Sequence, residues 1–364
     1  MKKIAFLFAG QGSQYAGMGK DLYENVSEVK EFFDVAESVR PGTLDQMFSG
    51  TEEELKRTEN TQPCLFLADI AGAIALEKNG IKPDAIAGFS LGEVVAMGAS
   101  GALTKEEAFR LVCERGKLMQ AAADAQKGSM IAVMRMEKSE LQALCEEYEV
   151  YPVNYNCPGQ IVVSGEEERI EKLKEALTEK GVRFVPLAVG GPFHTPYMKE
   201  ASAGLKEEIG NEKLYNINKT YIPLYANMTA NPYPDDKDGI VDAISNQISN
   251  SVKWEETLSN MAAEGIDTFI ECGPGKTLSG SSCDAELKSC KNRTAGFHPR
   301  SGSLLFTSRD RRSGIPRRIP PVSSGLPARP APSRKACGQP CRPAVPPVLW
   351  RLRRFRRSRS GHPR

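Results

Sequence analysis

The chain has 364 residues, with 48 Lys+Arg, 46 Asp+Glu and a formal net charge of +2, yet that sum joins two unlike pieces. Residues 291–364 carry 17 Arg and 2 Lys against the single acid Asp310, together with half of the 24 prolines, while the first 290 residues sum to −16. The acidic body argues against a nucleic-acid-binding face, no run approaches the roughly 18 apolar residues of a membrane helix, and nine scattered cysteines with no C-x-x-C pair fit free thiols in a reducing cytoplasm rather than a disulfide framework or a metal site.

Met1-Lys2-Lys3 and the apolar run 4–9 mimic a signal peptide, but the run is short, meets Gln11 and Gln14, and has no Ala-x-Ala site. It is predicted to be a buried first strand. A helix is predicted over 21–38. Thr61-Gln62-Pro63 reads as a helix start with proline near the first position, leading into 65–78 and closed by Asn79-Gly80. A short strand over 85–88 and a helix over 91–99 follow, then a helix capped by Thr104 with Glu107 at the third position. Alternating strands and helices imply a parallel sheet covered by helices.

Then the rhythm changes. Strands over 129–134, 150–156, 160–164 and 183–189, with helices over 138–147 and 166–180, stand in the order β-α-β-β-α-β, the split βαβ or ferredoxin-like unit. It is predicted to be a small subdomain, 127–192, inserted into the larger fold. Beyond it Thr195-Pro196 opens a helix, 221–226 is a strand, 239–251 and 254–264 are helices, and 267–271 is a strand leading into Cys272-Gly273-Pro274-Gly275. From about Ser281 the pattern fades, and from Lys291 no periodicity survives.

The strongest chemical signal is Gly88-Phe89-Ser90-Leu91-Gly92, a G-x-S-x-G between a predicted strand and a predicted helix. That context is what a nucleophile elbow needs, because small residues let the turn tighten until the serine hydroxyl stands clear of the sheet. The Leu91 amide, at the start of the next helix, would point at an oxyanion. A nucleophilic serine needs a base. His298 and His362 lie in the tail, so His194 is the candidate; the expected helix start after it would disfavour the imidazolium. No Asp follows in the hydrolase order Ser…Asp…His, so a backbone or amide carbonyl is the expected orienting group. Arg115 falls on the apolar stripe of its helix, with Ala108, Leu111, Val112, Leu118, Met119 and Ala122. An inward guanidinium requires an anion, either a protein carboxylate or a substrate carboxylate. Gly10-Gln11-Gly12-Ser13-Gln14 is neither a Walker A loop nor a dinucleotide fingerprint. It reads as a turn beside Ser90, with the Gln11 amide as second oxyanion donor.

Taken together, Gly10–Gln14, Thr61-Gln62-Pro63, 88–93, Arg115-Gly116-Lys117, Asn154-x-Asn156-x-Pro158-Gly159-Gln160, Phe193-His194 and Gly273-Pro274-Gly275-Lys276 resemble, over about residues 1–280, the bacterial malonyl-CoA:acyl-carrier-protein transacylases of fatty acid synthesis. The resemblance implies an α/β fold: an α/β-hydrolase-like parallel-sheet core, discontinuous over 1–126 and 193–280, with the ferredoxin-like insert. It implies Ser90 as the acylated nucleophile, His194 as its acid and base, the Gln11 and Leu91 amides as oxyanion hole, and Arg115 as the clamp on the malonyl carboxylate. Gln247 would lie beside the histidine, and Phe193 would crowd an α-methyl group. Malonyl-CoA would be the substrate and the phosphopantetheine thiol of acyl carrier protein the acceptor, with no bound cofactor, metal, nucleic acid or membrane, in a cytoplasmic monomer.

Two departures stand out. Phe89 occupies the position where the family usually has His, and from Ser281 the chain no longer resembles it. The Arg/Pro-rich stretch 281–364 is expected to be a shifted reading frame, a fusion or a disordered basic tail. Two rival functions follow from the same residues: a plain serine hydrolase, which leaves the inward Arg115 unexplained, and nucleic-acid binding by the basic tail, which lacks interleaved stacking aromatics beyond Trp350 and Phe355.

Overall fold

The computed structural model describes residues 3–278 and, beyond them, the backbone strands 291–298, 303–308 and 317–318. All belong to one unit, Met1–Pro321. The chain opens with strand β1 (Lys3–Phe8), buried along its inner half. Helices α1 (Lys20–Asn25) and α2 (Ser27–Val39) replace the single helix expected over 21–38, because Val26 is extended (φ −123°, ψ 108°) and ends one helix where the next begins. Two short helices, α3 (Thr43–Ser49) and α4 (Glu52–Lys56), are too brief to show a period; α4 does carry a Thr51/Glu54 capping box.

Helix α5 (Thr58–Lys78) begins earlier than its sequence suggests, so Pro63 lies inside it rather than at its first position. The reason is tertiary: the buried side-chain oxygen of Gln120 accepts the Thr58 N–H at 2.8 Å and caps the helix in place of a local side chain. Residues 61–76 are buried without a break, as in a helix enclosed on all sides. Strand β2 (Ala85–Gly88) and helices α6 (Leu91–Ser100) and α7 (Lys105–Ala125) follow.

The middle of the chain builds a second sheet. Strand β3 (Gly128–Met134), helix α8 (Lys138–Glu147), strands β4 (Tyr151–Cys157) and β5 (Gln160–Glu166), helix α9 (Glu167–Glu179) and strand β6 (Phe184–Pro186) give the strand order β4-β5-β3-β6, antiparallel throughout. Alternation in the strands and a 3.6-residue period in the helices seal a separate core of Ile131, Val133, Leu141, Leu144, Val163, Ile170 and Leu173.

The chain then returns to the first sheet. A 3-10 turn at Pro196–Met198 runs into helix α10 (Lys199–Ile209); strand β7 (Leu224–Tyr225), helices α11 (Lys237–Gln247) and α12 (Trp254–Ala263) and strand β8 (Ile266–Cys272) follow. Strands β9 (Lys291–His298), β10 (Ser303–Ser308) and β11 (Arg317–Arg318) extend the sheet to the order β11-β10-β9-β8-β1-β2-β7. From β9 to β7 the strands are parallel. Apart from these three strands, the expected unmatched tail 281–364 lies outside the described residues.

The register decides where chemistry gathers. Phe8 pairs with Gly88, Phe8 with Cys272, and Ala87 with Tyr225. Parallel strands in that register end together, so Gly10, Ser90, Asn227 and Gly273 leave the sheet at one edge, where open α/β sheets bind their ligands. Among the described residues no helix is long and apolar enough to cross a membrane.

Candidate active site

Ser90 sits between β2 and α6 with φ 53° and ψ −105°, a backbone that L-residues rarely adopt. The turn closes because its neighbours lack side chains. A Cβ on Gly88 would lie 1.9 Å from the Gly92 carbonyl, and one on Gly92 would lie 2.4 Å from the Phe8 oxygen. Asn227 clamps the turn from the loop after β7: its Oδ1 accepts the Ser90 N–H at 2.7 Å, and its Nδ2 donates to the Gly88 carbonyl at 2.6 Å.

His194 approaches from the loop after β6. Its Nε2 lies 2.8 Å from Ser90 Oγ, and its Nδ1 lies 3.1 Å from the carbonyl oxygens of both Gln247 and Asn250. Two acceptors at Nδ1 place the ring proton there and leave Nε2 as the lone pair facing the hydroxyl. Burial, and then the nearby Arg115 charge, push the imidazole down to about 4. These are the causes of its neutrality, rather than the helix terminus that the sequence suggested: only the 3-10 turn follows His194 directly. The carbonyls pull the other way, yet burial outweighs them.

Arg115 reaches the same place from α7. It is fully buried, its Nη2 donating to Gln247 Oε1 at 2.8 Å and to Ser90 Oγ at 3.1 Å. Its Nε and Nη1 are buried without a hydrogen-bond partner. Burial lowers its pKa to about 10, so the group is a cation at neutral pH. Among the described residues no carboxylate is hydrogen-bonded to it. The guanidinium thus carries unspent donors at two nitrogens, which in a buried site suits a carboxylate supplied from outside.

The remaining sequence candidates take up different places. Gln247, at the end of α11, is buried between Arg115 and Ser90, its Nε2 donating to the Ser90 carbonyl at 2.7 Å. Leu91 is the first residue of α6, where a helix leaves its N–H unbonded. Gln11 follows β1; a Cβ on the adjacent Gly10 would lie 2.9 Å from the Phe89 oxygen, so this turn packs on the elbow. The Gln11 side-chain oxygen accepts from Gln62 Nε2 at 3.1 Å, which joins the Gly10–Gln14 turn to α5. The Phe193 ring is buried near Gly191, and only its neighbour His194 meets Ser90. Phe89 packs edge-on against Trp254, with ring centroids 5.4 Å apart.

Three residues of this cluster were missed: Asn227, Glu93 and Tyr233. Glu93, one turn after Ser90, is fully buried; it accepts from the Asn227 N–H at 3.1 Å, from Gln247 Nε2 at 3.1 Å and from the Tyr233 hydroxyl. Burial pushes its carboxyl up to about 7. An acid directly before the apolar stretch Val94-Val95-Ala96-Met97 was a visible signal. Asn227 carried none, because its part depends on the β2–β7 register.

Comparison with known proteins fits this geometry. The model of the acyl transferase domain matches residues 5–291, past residue 280 where the motif resemblance stops. The malonyl CoA-acyl carrier protein transacylase of Bacillus subtilis (strain 168) is 41% identical over 287 residues, 77% of this chain and 89% of that protein. The crystal structure of the transacylase of that name from Clostridium perfringens superposes with a TM-score of 0.75 at 37% identity, covering 80% of this chain and 92% of the other. A type II PKS acyl-carrier protein in complex with its malonyl-transacylase also contains a similar chain, with a TM-score of 0.76 at 32% identity, covering 80% and 96%. A serine held against a buried neutral imidazole, beside an arginine with unspent donors, is thus set in a chain similar to these enzymes over nearly their whole length, and the chain belongs to the malonyl CoA-acyl carrier protein transacylase family of acyltransferases.

Proposed function

We propose that this enzyme transfers a malonyl group from malonyl-CoA to the phosphopantetheine thiol of acyl carrier protein, through an ester on Ser90, and so supplies fatty acid synthesis. The observation that carries the reading is the convergence of Ser90 Oγ, His194 Nε2 and an Arg115 whose Nε and Nη1 are buried without partners.

His194 Nε2 takes the Ser90 proton as Oγ attacks the thioester carbon. The oxyanion that forms is received by the N–H groups of Leu91 and Gln11, each worth about 3 kcal/mol in such a site. Collapse breaks the C–S bond, and the imidazolium returns its proton to the coenzyme A thiolate. A carrier thiol then gives its proton to His194 and attacks the ester. The Ser90 C–O bond breaks and the serine recovers its proton. The Nδ1 bonds to the Gln247 and Asn250 carbonyls steady the ring in both halves.

Arg115 supplies selectivity: a malonyl carboxylate satisfies its free donors, whereas an acetyl group leaves them orphaned. Phe193 narrows the space for an α-methyl branch. The strand order β4-β5-β3-β6 supports a ferredoxin-like subdomain over 127–192 in an α/β-hydrolase-like core. We assign the enzyme to the cytoplasm as a monomer.

Intact mass spectrometry after mixing with malonyl-CoA tests the reading. The expected result is one malonyl adduct, lost in Ser90→Ala and discharged by holo acyl carrier protein. Release of free malonate with no transfer to the carrier thiol would make the protein a serine hydrolase instead.

A further inference from the structure

Behind the reactive groups lies a second layer that the transfer mechanism does not use. Gln247 Nε2 faces three acceptors: the Ser90 carbonyl at 2.7 Å, Glu93 Oε2 at 3.1 Å and Asn227 Oδ1 at 3.3 Å. The opposite atom of the same amide, Oε1, accepts from Arg115 Nη2 at 2.8 Å. Turning the amide over would set its oxygen among acceptors and its NH2 against a guanidinium, so its orientation is dictated by its surroundings. Glu93 is the only one of the three that can carry a full charge. Its carboxylate is itself held by the Tyr233 hydroxyl and the Asn227 N–H.

We propose that Glu93 is a positioning residue for acyl-group selectivity: it holds the Gln247 amide so that Oε1 fixes Arg115 Nη2 and leaves the Nε and Nη1 donors for the substrate carboxylate. The arrangement resolves a conflict. A carboxylate bonded directly to Arg115 would occupy the donors that the substrate needs, whereas a neutral carbonyl orients the guanidinium and keeps the Glu93 carboxyl off those donors. Gln247, interposed between Glu93 and Arg115, does this. The proposal rests on the reading of Arg115 as the carboxylate anchor.

The test measures kcat and KM for malonyl and acetyl transfer in Glu93→Met, Glu93→Gln and Arg115→Ala. Methionine removes both acceptor oxygens at similar volume; glutamine keeps one oxygen for Gln247 and turns its amide to the Tyr233 oxygen. In Glu93→Met the malonyl-to-acetyl ratio of kcat/KM is expected to fall about tenfold or more, through malonyl KM, with acetyl transfer within about threefold of wild type, and Glu93→Gln is expected to recover most of the ratio. An equal loss for both acyl groups, or an unchanged ratio, overturns the proposal and leaves Glu93 a structural residue. If the methionine variant does not fold, Glu93→Asp, which withdraws the carboxylate by one methylene, decides on the same two outcomes. Arg115→Ala separates the two readings: if it leaves the ratio unchanged, the anchor itself is wrong, whereas a ratio lost in Arg115→Ala but kept in Glu93→Met sinks only the role of Glu93.

Discussion

Asn227 Oδ1 accepts the Ser90 N–H at 2.7 Å, across 137 positions of sequence. The contact holds the serine in its left-handed backbone, while the Asn227 Nδ2 bond to Gly88 holds the strand end that precedes it. Strain at a nucleophile persists only where the surroundings over-determine it.

Replacing Asn227 by Ala should therefore loosen the elbow as well as the core. Asn227 is fully buried, so the Ser90 N–H and Gly88 carbonyl would lose their partners at about 1–3 kcal/mol each. We expect a loss of about 2–4 kcal/mol in urea unfolding and a fall in kcat of tenfold or more. Normal kcat in a folded Asn227→Ala variant would show that the clamp is dispensable for positioning Ser90.

Arg115→Ala should separate the two acyl groups. With its buried donors gone, malonyl transfer is expected to fall by about a hundredfold or more in kcat/KM, while acetyl transfer holds or rises. Competition between the two coenzyme A thioesters in one reaction reads the ratio directly, and a proportional loss of both would exclude a carboxylate-binding role.

The pH dependence of activity should reflect a buried imidazole. With His194 pushed down to about 4, the base is free over the neutral range, and the acid limb of kcat/KM should fall near pH 4 rather than near the ordinary histidine value of about 6.5. Acylation rates measured across pH 4–8 check this. An acid limb at the ordinary value would show that the ring is solvated in the working enzyme.

Stability should depend on pH through the same burial, with two opposite signs. Between about pH 4 and 6.5 the unfolded chain protonates His194 and the folded chain does not, so this contribution rises with pH. Glu93 is raised from 4.5 to about 7, so from 4.5 to 7 the folded chain keeps a proton that the unfolded chain has released, and its contribution falls as pH rises. In thermal unfolding from pH 4 to 8, His194→Gln should lose stability less steeply than wild type as the solution is acidified from pH 6.5, and Glu93→Gln should lose less than wild type between pH 5 and 7. Curves parallel to wild type would mean that neither group is shifted.

Gly92→Ala should be among the most damaging small substitutions. Its Cβ would come within 2.4 Å of the Phe8 oxygen and 2.8 Å of the Ala9 oxygen, backbone atoms at the end of β1 and just past it that cannot step aside. We expect a loss of more than about 3 kcal/mol or no soluble protein. Gly12→Ala offers the contrast: no atom lies within 4 Å of its added Cβ, so only the strain of its φ of 108° remains.

By itself the sequence determined the local order of this protein and the identity of its reactive groups. Gly88-Phe89-Ser90-Leu91-Gly92 between an apolar strand and a helix is a short-range pattern, and so are the apolar stripe that turns Arg115 inward and the Thr104/Glu107 capping box. Such patterns survive in one dimension because their causes lie within a few residues. Tertiary structure alone decided the rest. Parallel pairing of β1, β2 and β7 brought Asn227 to the elbow, burial rather than a helix end made His194 neutral, and a distant Gln120 started α5 upstream of Pro63. The Gln120 and Asn227 contacts act between residues 62 and 137 positions apart, and no short window of sequence contains both ends of either.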